Sequence, residues 1–154
     1  MMTLCSDLLK ALRGKTLATA ESCTGGGIGA AITAVPGASR VYAGGIICYT
    51  NEVKNQVLGV EQAVLDKFGA VSAPVAGAMA SGVRNLLKSD VAVSVTGLAG
   101  PGGDDFGNPV GTVCIGYADK RQTLAKQYRF YGDRDDIRQQ AVRAALELVL
   151  EMAQ

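Results

Sequence analysis

The chain has 154 residues, of which 48% are hydrophobic and 19% are charged, and its formal net charge is +1. This length suits one domain with one core, which we expect to span residues 1–154. The near-neutral charge gives no basic footprint for nucleic acid or an anionic membrane. The chain has no histidine, which excludes Ser-His-Asp and Cys-His catalysis and imidazole metal sites.

Helices and strands are predicted to alternate along most of the chain. Leucines at helical spacing predict a first helix over residues 3–13, closed by Gly14. The further predicted helices are 23–34, 51–58, 61–68, 73–87 and 133–152. The predicted strands are 16–20, 44–49, 91–95, 111–117 and 123–130, the last two forming a hairpin. This order predicts an α/β fold, a three-layer α/β/α sandwich with a mixed, mostly parallel sheet.

The location of the protein is predicted from what the sequence lacks. No segment approaches the ~20 apolar residues of a membrane helix, and the first residues do not resemble a secretory leader. The four cysteines, Cys5, Cys23, Cys48 and Cys114, form no C-x-x-C pair and are expected to be free thiols. We therefore expect a cytoplasmic protein with no metal and no membrane partner.

A glycine-rich segment, Ala20 to Gly27, joins the first predicted strand to the next helix. Its amides are suited to an anion such as phosphate at a helix start, and Thr24 is a candidate cap. The same residues also suit a tight turn in which glycine is needed only for close packing. From the residues alone, the two interpretations are equally good.

Three further segments are candidates for chemistry. Ser39 follows a Pro-Gly turn, where a helix-capping serine is the simpler interpretation. Lys54 lies one turn into a helix capped by Thr50 or Asn51, where a solvated lysine is the usual outcome. The loop after Val95 contains four glycines at a strand end, where open α/β sheets bind ligands.

Together these segments resemble the CinA carboxy-terminal domain family. Any one matching string is weak, but their order and spacing fit the family across nearly the whole chain. The matching strings are residues 19–26 (TAESCTGG), 49–54 (YTNEVK), 69–72 (GAVS), 96–103 (TGLAGPGG), 109–113 (PVGTV) and 132–134 (GDR).

The resemblance implies deamidation of nicotinamide mononucleotide to nicotinate mononucleotide and ammonia, without a cofactor. It implies Ser39 as the nucleophile, Lys54 as its base and Tyr49 as an assisting hydroxyl. Many relatives carry two adjacent serines after the glycine, whereas Ala38 stands at the first position here. Longer relatives carry a second, amino-terminal domain, for which this chain has no room.

The strand-end loops and the matching strings supply the expected substrate-binding residues. The phosphate is expected on the helix start at Thr24–Gly27 or against Arg134, and Glu21 either holds the ribose or pairs with a lysine. The full set is Glu21, Ser22, Thr24, Gly25, Gly26, Thr96, Gly97, Ala99, Gly100 and Arg134.

For Lys54 to act as a base near neutral pH, its pKa must fall well below the ordinary ~10.4, and burial is one cause of such a fall.

Two other classes of function fit the same loops: a non-catalytic nucleotide-binding module, and an amidase for another small amide. We also expect a homo-oligomer. The Ala-rich helix 73–87 either pairs with its copy or only packs on the sheet.

Overall fold

The computed structural model describes all residues, 1–154. It contains six α-helices, one short 3₁₀ helix and five strands. The helices are α1 (Met2–Ala11), α2 (Gly27–Thr33), α3 (Asn51–Gln56), α4 (Gln62–Phe68), α5 (Ala73–Leu87) and α6 (Arg134–Ala153), with the 3₁₀ helix at Ala38–Arg40. The strands are β1 (Leu17–Glu21), β2 (Tyr42–Ile47), β3 (Val91–Gly97), β4 (Thr112–Ala118) and β5 (Thr123–Arg129).

The strands form one mixed sheet in the order β2-β1-β3-β4-β5. β1 pairs in parallel with β2 and with β3, while the β3–β4 and β4–β5 pairs are antiparallel. The predicted α/β class, mixed sheet and terminal hairpin are thus confirmed. The expectation of a mostly parallel sheet is partly wrong, because the late hairpin makes half of the pairings antiparallel.

Helices cover both faces of the sheet. α1, α2 and α6 pack together on one face, and α5 crosses the other face in contact with all five strands. The larger apolar cluster lies under α1, α2 and α6, and a smaller one lies under α5. β1 and β4 are buried along their whole length, as strands covered on both faces require.

Local capping explains which helix boundaries were predictable. α5 has the predicted bounds, because the Ser72 side chain accepts a hydrogen bond from the Val75 N–H and Pro74 lies in the first turn. α2 begins four residues later than predicted, at Gly27, because Gly25 and Gly26 take left-handed φ angles of 58° and 106°. Likewise Gly14 does not close α1, whose C-cap is Leu12.

The topology gathers several loops at one edge of the sheet. β1, β2 and β3 run side by side in the same direction, so the segments that follow Glu21, Ile47 and Gly97 lie next to one another. None of the helices is both long and apolar enough to span a bilayer.

Candidate active site

Lys54 is the largest polar side chain in the interior. It lies in α3, whose N-cap Thr50 accepts a hydrogen bond from the Val53 N–H, as the sequence predicted for Thr50 or Asn51. Only 1% of Lys54 is exposed. The alternative of a solvated surface lysine is therefore wrong, and the burial that a lysine base requires is present; a buried amine needs partners of its own.

The Lys54 amine has three partners. Nζ donates to the Cys48 carbonyl oxygen at 2.8 Å, to the Tyr49 carbonyl oxygen at 3.4 Å and to Ser22 Oγ at 2.9 Å. The two carbonyls can only accept protons, so they hold two N–H groups of the amine. When Lys54 is neutral, its remaining lone pair faces Ser22 Oγ.

Burial makes the neutral form of the Lys54 amine easier to reach. Burial lowers the pKa of Lys54 from its ordinary value of 10.5. The two ion pairs of the chain, Lys126–Glu151 and Arg143–Glu147, do not involve Lys54. A buried lysine without a carboxylate partner gives up its proton more readily than a free lysine.

We expect the lowered pKa of Lys54 to make the stability of the protein depend on pH. As the pH rises towards the ordinary pKa of 10.5, the unfolded chain keeps the Lys54 proton more fully than the folded chain does, so stability rises with pH over this range. The free energy of unfolding of the wild type should therefore rise relative to that of Lys54→Met, by at most about 1.4 kcal/mol per pH unit. Urea unfolding across this range measures it; a flat or falling difference would show that folded Lys54 keeps its proton.

Ser22 is held rigidly beside the amine. It directly follows β1, and its N–H donates to the Val95 carbonyl oxygen at 2.9 Å, which extends the β1–β3 pairing by one residue. Its side chain is buried, with 7% of the residue exposed. Ser22 was expected only to bind substrate, but here its hydroxyl is the one that contacts Lys54.

Ser22 and Lys54 open onto a cleft of about 270 Å³. The cleft is bordered by the loop after β3 and by the start of α6. Eight of the residues predicted from the sequence line it: Ser22, Tyr49, Lys54, Thr96, Gly97, Ala99, Gly100 and Arg134.

Tyr49 and Arg134 meet at the rim of this cleft. Arg134 donates to the Gly100 carbonyl oxygen at 2.6 Å and to Tyr49 Oη at 3.4 Å. Tyr49 is 60% exposed, and Lys54 contacts its backbone carbonyl oxygen. The Tyr49 hydroxyl thus lies beside Arg134, which does not support its predicted role of assisting the nucleophile.

Ser39 lies away from this cleft. It belongs to the 3₁₀ helix that precedes β2, whereas Lys54 follows the other end of that strand. Six strand residues separate the two ends by roughly 17 Å at ~3.3 Å per residue. Ser39 lines a different cavity, with Pro36 and Tyr42 among its neighbours. The expected contact between Ser39 and Lys54 within one chain is therefore wrong, and Ser39 as nucleophile stays a prediction that this geometry does not support.

Glu21, Thr24, Gly25 and Gly26 do not line the cleft. The Glu21 carboxylate is buried and accepts hydrogen bonds from Thr24 Oγ1 at 2.6 Å and from the N–H groups of Ile28 and Gly29 at 2.8 and 3.1 Å. Neither the ribose nor the lysine interpretation of Glu21 fits these contacts. The carboxylate accepts the Ile28 and Gly29 amides at the start of α2, so these two amides are not free for a substrate phosphate, and a carboxylate at that place repels an anion.

Glu21→Ala should therefore act on stability. It leaves the buried Ile28 amide, the half-buried Gly29 amide and the Thr24 hydroxyl without an acceptor, which we expect to lower the free energy of unfolding by about 3 kcal/mol. Urea unfolding measures this, with the exposed Glu52→Ala as the matched control. An unchanged stability together with a raised KM for substrate would instead place Glu21 in substrate binding.

Sequence reasoning missed two residues beside Ser22. Arg138 of α6 donates to the carbonyl oxygens of Cys23 and Thr24 at 3.0 and 3.3 Å and so fixes the turn. Cys23 lines the cleft, but burial raises the pKa of its thiol to about 11. A thiol that keeps its proton is a poor nucleophile, which leaves the hydroxyl of Ser22. No group of three or more Cys, Asp and Glu side chains could hold a metal ion.

A protein-family model, described as the CinA C-terminal domain, matches residues 1–153 of this chain. The chain belongs to the CinA C-terminal domain family. The resemblance drawn from the sequence motifs is thus confirmed across the whole fold.

Curated CinA relatives share about half of the aligned residues. A putative competence-damage inducible protein of Caldanaerobacter subterraneus is 49% identical over 137 residues, which is 89% of this chain and 33% of that protein. A CinA-like protein of Geobacter metallireducens is 53% identical over 125 residues, 81% of this chain and 30% of that protein. The chain thus spans about a third of the length of the curated relatives it matches.

Solved CinA structures match nearly the whole chain. A CinA superfamily protein from Klebsiella pneumoniae superposes with a TM-score of 0.95 at 35% identity, covering 99% of this chain and 96% of that one. The competence/damage inducible protein CihA from Agrobacterium tumefaciens gives a TM-score of 0.94 at 39% identity, covering 99% and 95%. The α/β fold is therefore that of the CinA superfamily.

Proposed function

We propose that this CinA domain hydrolyses the carboxamide of nicotinamide mononucleotide to nicotinate mononucleotide and ammonia, through a serine–lysine acyl-enzyme mechanism in which Ser22 is the nucleophile. The observation that carries the proposal is the 2.9 Å contact between Ser22 Oγ and the buried amine of Lys54. A binding site alone does not require a desolvated amine against a hydroxyl. The family resemblance of the motifs supports the choice of substrate.

In the first step, neutral Lys54 accepts the Ser22 proton while Oγ attacks the carboxamide carbon. The carbonyls of Cys48 and Tyr49 hold the other N–H groups of the amine, so its lone pair stays directed at the hydroxyl. The transferred proton then passes to the departing nitrogen, and ammonia leaves. Water hydrolyses the ester on Ser22 with the same amine as base, which restores the hydroxyl.

The developing oxyanion requires donors that are free before substrate binds. The N–H groups of Cys23 and Ala99 make no backbone hydrogen bond, although both residues are almost fully buried. Cys23 is adjacent to Ser22, and Ala99 lines the same cleft. We assign these two amides to the oxyanion, where one such donor typically contributes about 3 kcal/mol.

The substrate phosphate is assigned to Arg134. The guanidinium carries five N–H donors, of which the Gly100 carbonyl and the Tyr49 hydroxyl engage two. The alternative phosphate site at Thr24–Gly27 loses support, because Glu21 already occupies the start of α2.

Arg134→Gln should separate phosphate recognition from chemistry. We expect KM for nicotinamide mononucleotide to rise about tenfold to a hundredfold with kcat little changed, since a charge-assisted contact is lost in ground state and transition state alike. Nicotinamide riboside, which lacks the phosphate, is the matched control and should show almost no change. An equal rise in KM for both compounds would remove Arg134 from the phosphate site.

Ammonia release from purified protein tests the proposed reaction, with nicotinate mononucleotide measured by liquid chromatography. The panel comprises nicotinamide mononucleotide, nicotinamide riboside, nicotinamide and the dinucleotide. Turnover of a different amide, with none of the mononucleotide, would identify an amidase of another specificity. Calorimetric binding without product from any compound would identify a nucleotide-binding module and refute the proposal.

The proposal extends to location and assembly. We place the reaction in the cytoplasm, which the four unpaired, buried thiols support. We retain a homo-oligomer as part of the proposal, to be tested by light scattering. Pairing through the inner face of α5 loses support, because that face packs on the sheet.

A further inference from the structure

We infer that a second anion site lies at the opposite edge of the sheet from the cleft, formed by Lys10, Arg13 and Arg40 and suited to a diphosphate group. These three side chains border one cavity of about 240 Å³. The proposed amidase reaction does not use this cavity, so the inference stands apart from that reaction.

Two separate parts of the chain form the site. Lys10 and Arg13 come from the last turn of α1 and the residues after it, and Arg40 comes from the 3₁₀ helix before β2. Both parts lie near the amino ends of β1 and β2, whereas Ser22 and Lys54 follow the carboxyl ends of those strands. The two cavities share no lining residue.

The positive charges at this site are unopposed. The ten residues that line the cavity include three cations and no Asp or Glu. None of the three cationic side chains donates a hydrogen bond, whereas five of the six other arginines do and only Arg121 does not. Neither ion pair of the chain involves them. The whole chain has 15 basic and 14 acidic residues, so this local excess of positive charge sets the cavity apart from the average surface.

Size and chemistry indicate the class of ligand. The cavity is smaller than the roughly 300–1,000 Å³ of clefts that enclose a drug-sized ligand, so it suits a compact anion or the charged end of a larger one. Guanidinium groups bind phosphate oxygens through paired N–H donors. Two arginines and a lysine match the charge of a diphosphate, either free as pyrophosphate or at the end of a nucleoside diphosphate.

A simpler role for Lys10 is to interact with the C-terminal dipole of α1, where it lies in the last turn. That role accounts for Lys10 but not for Arg40, which another segment brings to the same cavity. The two explanations differ in whether the site binds an added anion.

Titration calorimetry of the full chain with inorganic pyrophosphate at low ionic strength tests the inference. We expect saturable binding that Arg13→Gln/Arg40→Gln weakens about tenfold or more. Lys120→Gln/Arg121→Gln, which removes the same charge from the β4–β5 turn, should leave the affinity within about twofold. Titration with ADP distinguishes the two sources of a diphosphate group. If ADP binds as tightly as pyrophosphate, the ligand is a nucleoside diphosphate; if ADP binds more weakly, the ligand is free pyrophosphate.

Three outcomes would overturn the inference. The first is no saturable binding at millimolar pyrophosphate. The second is equal loss in the two double variants, which would indicate only the overall charge of the chain. The third is binding that Arg134→Gln abolishes while Arg13→Gln/Arg40→Gln retains it, which would place the anion in the cleft.

Discussion

Lys54→Met is expected to lower kcat for ammonia release from nicotinamide mononucleotide by roughly 10³-fold, because the only amine within reach of Ser22 Oγ is removed. Methionine is close to lysine in length and is apolar, so it fills the same buried space without a proton acceptor. Steady-state kinetics with a direct ammonia assay measures the loss.

The control for this variant is Lys67→Met, which removes an exposed lysine from α4 and should keep full activity. Circular dichroism and thermal unfolding establish that both variants fold. A correctly folded Lys54→Met protein with wild-type turnover would eliminate the serine–lysine mechanism, whichever serine is the nucleophile.

Ser22→Ala is expected to reduce turnover about 10³-fold or more, since no covalent intermediate can form without the hydroxyl. Ser39→Ala should remain within a few-fold of the wild type, because Ser39 lies before β2 and Lys54 lies after it. Steady-state kinetics on the two single variants, prepared in parallel, measures this contrast.

The opposite result would also be informative. Loss of activity in Ser39→Ala with full activity in Ser22→Ala would contradict the proposed nucleophile and restore the assignment implied by the family resemblance. A second chain would then have to bring Ser39 to Lys54, because one chain does not.

The sequence predicted the cleft better than the pairing of residues inside it. Ser22 follows β1, Lys54 lies in the helix after β2 and Gly97 ends β3, and strand ends are visible in a hydrophobic pattern. The contact between Ser22 and Lys54 depends on β1 lying beside β2 in parallel register, with Glu21 opposite Ile47. That register comes from packing of the whole sheet, so the sequence could not show the contact, and the family resemblance implied Ser39 instead.

Glu21 shows a second limit of sequence reasoning. An acidic residue before a Ser-Cys-Thr-Gly-Gly turn is compatible with ribose binding and with a structural role. The choice depends on where α2 begins, and two glycines with left-handed φ angles delay that start. Once the helix begins at Gly27, its first free amides face the Glu21 carboxylate. By contrast, Ser72 and Pro74 mark α5 locally, so its bounds could be predicted without the fold.

The strand order β2-β1-β3 also separates the residues proposed for bond cleavage from those proposed for substrate binding. In the proposed reaction, bond cleavage depends on the β1 and β2 ends, where Ser22 meets Lys54, and on the Ala99 amide, while Arg134 at the start of α6 is assigned to the substrate phosphate. Changes at Leu98 and Arg134, which the proposed reaction does not use for bond cleavage, can therefore alter which amide is accepted without disturbing the reacting pair. A scaffold arranged in this way can acquire new specificities at the cleft rim while the contact between Ser22 and Lys54 stays intact.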